Sequence, residues 1–456
     1  MALLLLGLCF VFLLFVRLYV DHGVTGDEPH YLLMDYSLVH DHDFNLRNNY
    51  AHEDYLKFYP VALGTKNQVA PAGTGRAVYS IHGAGVPLLL LPGFWLAGAR
   101  GAEVEMVLVA VATVWLTWIW AYEMTGRPRA SAVAAGLLAV NSFFAGLAGY
   151  IYPDMPIAAL TLAALIIIAR YFDSTRWQVL FGVIMVAMVF MHFKTLDLAL
   201  PLLAALVYRS WRAGRGLPWA AILSSGLLLI AFFIGFHHWY GVWDPEHIYP
   251  PNISLKTSPL RNVPAMLFDV KRGALIYNPA LLLMLVGLGA WFRQKKEMFL
   301  LTLLAIVPSM AVLAVFNAWE GGYAPTGRYM IDFLPALFPA VAFAVVLLKA
   351  NWQKAAVALI VLATLFITLE STFIKAPYIN GEQYRPHSAF FNELQQQTGI
   401  GFQHLLPNYS KYVTLDDRHG QLKLLIGWLA VLSFAGYGYY LSRPLKPLRP
   451  DKAAKA

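Results

Sequence analysis

Four places in the chain put charged residues where chemistry could be done. The first is Asp27-Glu28, in GVTGDEPHY, bracketed as a turn by Gly26 and Pro29. Adjacent carboxylates repel each other and resist desolvation, which raises the pKa of one and suits a general base. The alternative is a solvated turn. Asp154 stands in YIYPDMP, a short link between two apolar stretches. A carboxylate so close to lipid is a functional candidate, and it also fits a helix N-cap ahead of Pro156. Lys194 lies in MHFKTLD, between His192 and Asp197. Its compact charge suits a lipid phosphate, or it pairs with Asp197 to cap two helices. The fourth place is NAWEGGYAPTGRYMIDFLP, with Trp319, Glu320, Tyr323, Arg328 and Tyr329. Arg328 opens a helix and offers a planar fork to phosphate oxygens. Trp319, Tyr323 and Tyr329 could face a sugar, although an interfacial aromatic belt accounts better for the tyrosines.

Those residues must be held by membrane helices. The 456 residues are 59% hydrophobic and only 13% charged, about half the charged fraction of soluble domains. The apolar residues form long blocks, and roughly a dozen reach or approach the ~20 residues of a spanning helix. They do not alternate as barrel strands would, so the fold is all-α in the membrane, a polytopic bundle of about 12–13 transmembrane helices. The first block, 2–20, lacks a basic start and a small-residue cleavage site, and reads as a retained helix. Cys9 is the only cysteine, so no intrachain disulfide forms. The net charge of +8 is explained by basic cytoplasmic loops, and nucleic acid is not an expected partner.

Orientation follows from Lys and Arg in short loops. Clusters at Arg127/Arg129, Arg170/Arg176, Arg209/Arg212/Arg215, Arg293/Lys295/Lys296, Lys349/Lys354 and the tail all fall inside in one topology. Spans are then expected at about 131–150, 155–169, 178–193, 196–208, 218–237, 275–292, 298–316, 329–348, 354–371 and 421–441. Segments 21–82, 151–154, 238–274, 317–328 and 372–420 lie outside. Two apolar stretches, 83–99 and 104–122, share one crossing. Gly83, Gly85, Pro87, Pro92 and Gly93 break helices, so 83–99 reads as re-entrant or interfacial. The competing topology joins 178–208 into one helix and lets both early stretches span. In the first external segment, Tyr31–Val39 reads as an amphipathic helix suited to the interface plane. The chain divides at about residue 370. A catalytic module, 1–370, includes the loop 21–82. The remainder, 371–456, holds the external piece 372–420, the last helix and a basic cytoplasmic tail.

The succession GDEPHYL after the first helix, Ser80-Ile81-His82-Gly83-Ala84-Gly85-Val86-Pro87, YPDMP, FKTLDLALP and GRYMIDFLP resembles the GT-C membrane glycosyltransferases. That group contains the protein O-mannosyltransferases and the lipid A aminoarabinose transferases. The resemblance runs from the first helix to about residue 340 and rests on the order of short motifs. It implies a polyprenyl-phosphate sugar donor, a lipid, glycan or protein acceptor, and an active site on the outer face, in bacteria the periplasmic side of the inner membrane. It implies that Asp27 deprotonates the acceptor with Glu28 tuning or positioning it, that Asp154 is the second acid, and that Lys194 and Arg328 hold the phosphate. His82, Glu320 and Tyr323 fall on the substrate side. Many members have His-Pro-Pro where this chain has His82-Gly83-Ala84, which leaves the role of His82 open. Some members are metal-dependent, so a divalent metal between Asp27 and Asp154 stays open as a cofactor. The competing function is a transporter or lipid flippase. It predicts internal pseudo-symmetry, which the sequence does not display, and leaves the long first loop unexplained.

Overall fold

The computed structural model describes residues 2–20, 23–65, 68–71, 77–243, 245, 248, 259–316, 327–374, 388–401, 405–409, 418–443 and 445. Their regular elements are helices apart from one antiparallel ribbon, β1 (Val69–Pro71) paired with β2 (Val78–Ser80). The chain opens with α1 (Ala2–Val20), α2 (Glu28–His40) and the short α3 (Arg47–Ala51). Helix α2 is not the interfacial helix expected from Tyr31–Val39. Tyr31, Leu32, Leu33 and Met34 are all buried, and so are Glu28, His30 and Asp35. It sits in the core because α4 (Gly85–Thr125) packs along it.

Helix α4 has two arms joined at Ala97 (φ −148°, ψ 25°) and Gly98 (φ 60°, ψ −146°). The arms fold back on each other. The Gly93 amide donates to Glu105 at 2.7 Å, and a Cβ on Gly93 would sit 2.6 Å from the Gly101 carbonyl oxygen. The first arm, 85–96, is about 18 Å long, short of the ~30 Å hydrocarbon core. The prolines expected to break it do not, because Pro87 occupies its first turn and Pro92 is carried within it. The break falls at Gly98, where only glycine tolerates the backbone.

Next come α5 (Pro128–Ala139), α6 (Ser142–Leu147), α7 (Asp154–Ile166), which continues as a π turn to Tyr171, α8 (Thr175–Met191) and α9 (Leu196–Arg212). They are followed by α10 (Trp219–Tyr240), α11 (Pro259–Phe268), α12 (Ala274–Tyr277), α13 (Leu281–Gln294) and α14 (Lys296–Val315). The last group is α15 (Arg328–Ile331), α16 (Pro339–Leu347), α17 (Asn351–Ile374), α18 (Ala389–Thr398) and α19 (Arg418–Ser442).

Six of the described helical segments are long and apolar enough to cross a bilayer: α4, 154–171, α10, α14, α17 and Gln421–Ser442 within α19. Shorter apolar helices cover 4–20, 175–191, 281–294 and 334–347. Leu223, Leu227, Ile230 and Ile234 stand exposed along one face of α10. An outward stripe of large aliphatics at three- and four-residue spacing is stable only against lipid.

Three expected spans are interrupted. The stretch 131–150 stops at Asn141, whose side chain accepts from the amides of Phe143 and Phe144 and starts α6. The stretch 275–292 breaks between α12 and α13. The two breaks interlock, since Asn278 Oδ1 accepts from the Ser142 amide at 2.6 Å and the Ser142 hydroxyl at 3.1 Å. Backbone groups freed in one helix are thereby satisfied by the other, the condition for irregular backbone at membrane depth. The stretch 329–348 is α15, a 3-10 turn at Leu334–Leu337 and α16. The single helix over 178–208 of the competing topology does not form. His192 is extended (φ −165°, ψ 132°) and separates α8 from α9.

Candidate active site

Asp27 stands at the cap position of α2, just after Gly26 (φ 60°). Its amide faces the Tyr152 hydroxyl at 3.4 Å. Glu28 is fully buried and its two oxygens accept from the amides of Ile151 and Thr25, both at 2.9 Å. Glu28 thus stitches the turn that carries Asp27 to the turn that carries Asp154. Arg17, buried in α1, adds a bond from Nε to the Gly149 carbonyl at 3.2 Å and an ion pair to Glu103. Asp154 is the first residue of α7, with Pro153 at the cap, so the N-cap reading of its side chain does not hold.

Lys194 occupies the 3-10 turn Phe193–Thr195, which His192 organises by accepting the Lys194 amide on Nδ1 at 3.1 Å. Arg328 opens α15 after Gly327 (φ 77°). A side chain on Gly327 would run into the Phe143 ring, so α6 fixes where α15 begins.

These segments converge on one chain of charges. Asp154 is fully buried and divides its carboxylate between Arg328 Nε at 2.7 Å and Lys194 Nζ at 2.8 Å. Arg328 Nη1 reaches Asp27 at 3.3 Å, and Lys194 also contacts Asp332 at 3.1 Å. Asp197 is not the partner of Lys194; it bonds Ser309 instead. The order is Asp27–Arg328–Asp154–Lys194–Asp332. Its reachable parts are the side chains of Asp27 (31% exposed) and Lys194 (27%), while Arg328 is 7% exposed. Arg328 lies 3.9 Å from the Tyr152 ring centre, and Lys194 lies 4.6 Å from that of Tyr329. Cations over these ring faces are stabilised by them. Tyr329 therefore belongs to the cluster rather than to an aromatic belt.

Burial alone would raise the pKa of Asp27, but His82 and Arg328 outweigh it and hold the carboxyl below the usual carboxylate range. His82 is itself pushed down by burial and is neutral near pH 7, so Arg328 supplies the effect there. Glu28 goes the other way: burial, only partly offset by Arg17 and the two amides, pushes it up to about 8. The member of the acidic pair with the raised pKa is thus Glu28, not Asp27.

His82 Nε2 bonds Gln68 at 2.8 Å, and its ring stacks on His30 with centroids 5.5 Å apart. It also lines a groove with Phe190, Phe232, Phe236 and Trp239. Glu320 and Tyr323 lie outside the described residues. A metal between Asp27 and Asp154 does not fit, because both carboxylates already hold the Arg328 guanidinium, a like charge. Among the described residues no three His, Cys, Asp or Glu gather to hold an ion. Sequence reasoning missed Asp332, Tyr152 and His30. The first was legible, since Asp332 follows Arg328 by four residues and shares its helical face.

No protein-family model and no curated protein matches the chain. Solved structures do. ArnT from Cupriavidus metallidurans bound to undecaprenyl phosphate is 15% identical, with a TM-score of 0.55 over 97% of this chain and 78% of that one. The same protein in its apo state gives 0.53 at 15% identity over 96% and 75%. The chain shares its fold with ArnT. A looser likeness is to the oligosaccharyltransferase AglB from Archaeoglobus fulgidus in complex with an inhibitory peptide and a dolichol-phosphate. Its TM-score is 0.46 at 13% identity, over 88% of this chain and 59% of that one. Long apolar helices together with the fold shared with ArnT make the chain an integral membrane protein.

Proposed function

We propose that this chain transfers a sugar from a polyprenyl-phosphate donor to an acceptor hydroxyl at the outer face of a membrane, in bacteria the periplasmic face of the inner membrane. The supporting observation is the exposed ends of the charge chain. A carboxylate at Asp27 and an ammonium at Lys194 are reachable on either side of a buried Arg328–Asp154 pair. In one displacement the acceptor oxygen bonds to the anomeric carbon as the bond from that carbon to the phosphate oxygen breaks. The acceptor proton goes to Asp27 and polyprenyl phosphate leaves, so the anomeric centre inverts. Asp27 is ionised near neutrality and ready to accept the proton as the attacking hydroxyl acidifies. Lys194 and Arg328 stabilise the charge that grows on the departing phosphate, which is where preorganised cations lower a barrier.

Asp154 holds both cations in place, and Glu28 positions the Asp27 turn. His82, Glu320 and Tyr323 are assigned to the substrate side, His82 through the aromatic groove it lines. The catalytic module is assigned to 1–370. The reading is supported by the fold shared with ArnT, whose structure is described as bound to undecaprenyl phosphate. The test is incubation of the purified chain with a panel of polyprenyl-phosphate sugars and acceptors, following release of free polyprenyl phosphate. Release that Asp27→Asn abolishes is expected. Transbilayer movement of the lipid without sugar transfer would mean a flippase instead.

A further inference from the structure

Asp35 on α2 is a buried acid that the charge chain does not use. It is fully buried, and both of its carboxyl oxygens lack a hydrogen-bond partner. Buried carboxylates are nearly always paired or hydrogen-bonded, and an ionised one left alone is strongly unfavourable. Among the described residues, the charge that acts on Asp35 is another acid, Glu105 of α4. Burial, and then Glu105, push its carboxyl well above the ordinary range, so Asp35 is held protonated.

The other charges around α2 are engaged elsewhere. Helix α4 and the 3-10 turn Asp54–Lys57 pack against α2. On α4, Glu103 is held by Arg17 and Arg100. Lys57 bonds Tyr36 and Asp54. His30 and His82 stack on each other and act on Asp27, and His40 acts on Asp41. Glu105 is the clasp of the α4 hairpin, since its Oε2 accepts the Gly93 amide of the opposite arm at 2.7 Å. Asp35 is thus within electrostatic reach of the residue that ties the arms together. It also follows Asp27, the cap residue of α2, by eight residues of one continuous helix, about 12 Å. A shift of α2 away from α4 carries the Asp27 turn with it.

We propose that Asp35 is a proton-operated latch: protonated, it lets α2 lie against the α4 hairpin, and ionised, it drives α2 off the hairpin together with the Asp27 turn. Ionisation would leave two acids facing each other in a dry contact without a counterion, and separation of the helices lets water reach both. The latch does not rest on the transfer reaction, and local opening alone tests it.

The full chain is purified in a nonionic detergent, and hydrogen–deuterium exchange is followed over peptides 28–40, 85–105 and 281–294 from pH 5 to pH 8. Asp35→Asn, which cannot ionise, is run beside the wild type at each pH, so that the intrinsic exchange rate cancels. A carboxyl whose pKa is raised on folding stabilises fully below about 3.9 and loses that contribution as pH rises toward the folded value. With one proton released per opening, wild-type protection in 28–40 and 85–105, relative to the variant, should fall by up to about tenfold per pH unit. The same ratio in 281–294, within α13, should stay constant. Asp35→Leu is the second reference should the amide variant fail to fold, and it should give the same fall. Glu28 on the same helix also titrates, so the comparison is repeated in a Glu28→Gln background. A fall that persists there belongs to Asp35, whereas one that vanishes belongs to Glu28 and overturns the latch. A ratio independent of pH would overturn it too, as would an equal fall in 281–294, which is global destabilisation.

Discussion

Asp27 and Glu28 are neighbours in sequence with opposite electrostatics, and that difference is measurable. Arg328 keeps Asp27 below its ordinary pKa, so the proposed base stays ionised into acid and the acid limb of kcat/KM should lie below about pH 4. Weakening the pair with Arg328→Gln should move that limb upward, besides lowering turnover. Asp27→Asn should cost about 10²- to 10⁴-fold in turnover with donor binding retained; full activity would remove it as the base. Glu28 is read through stability. Its folded pKa is raised to about 8 from an ordinary value near 4.3, so its contribution is fully present below that value and is lost as pH rises through 8. The melting-temperature difference between wild type and Glu28→Gln should therefore shift in favour of the variant from pH 5 to pH 9. A difference independent of pH would mean that Glu28 is ionised throughout. Asp154→Ala should be the most destabilising change in the cluster, by about 3–5 kcal/mol, because it strips two partly buried cations of their counterion.

At the scale of elements, the hairpin within α4 depends on two glycines in contact. Gly101→Val should lower the melting temperature strongly, since its side chain would meet the Gly93 backbone and overpacking of this kind costs about 1–3 kcal/mol or more. A neutral result by thermal unfolding would argue against the folded-back arms. The elements also show what the sequence hides. Helix existence was legible from apolar blocks, and Lys194 could be placed at a junction because His192 and Asp197 interrupt the blocks around it. The breaks at Asn141 and Asn278 were not legible, because each is stable only through the other. No local pattern reports a contact 136 residues away. The depth of α2 was hidden likewise, since Tyr31–Val39 looks amphipathic until α4 covers it. At the site, residue types identified Asp27, Asp154, Lys194 and Arg328 as candidates. Their pairing, and the role of Asp332, depended on tertiary proximity.

Over the whole molecule, orientation is the property that the charge pattern predicts and a labelling experiment checks. In a Cys9→Ser background, cysteine at the exposed Val61 should react with a membrane-impermeant reagent from outside, and cysteine at the exposed Leu217 should not. The reverse result would invert the topology and place the Asp27 cluster on the other face. Ser80 and Ser210 are buried and would report accessibility rather than side. The spread of the charge chain along the sequence also has a consequence in time. During synthesis the Asp154–Lys194 pair can close within a single helical hairpin, as soon as residue 194 emerges. Asp27 has to wait for Arg328, which follows it by 301 residues. A growing chain thus passes through a long stage in which Asp154 and Lys194 are matched and Asp27 is not. Nascent chains arrested before residue 328 should carry Asp27 at an ordinary or raised pKa, with the Asp27–Arg328 pair forming only after about seven-tenths of the chain has been made.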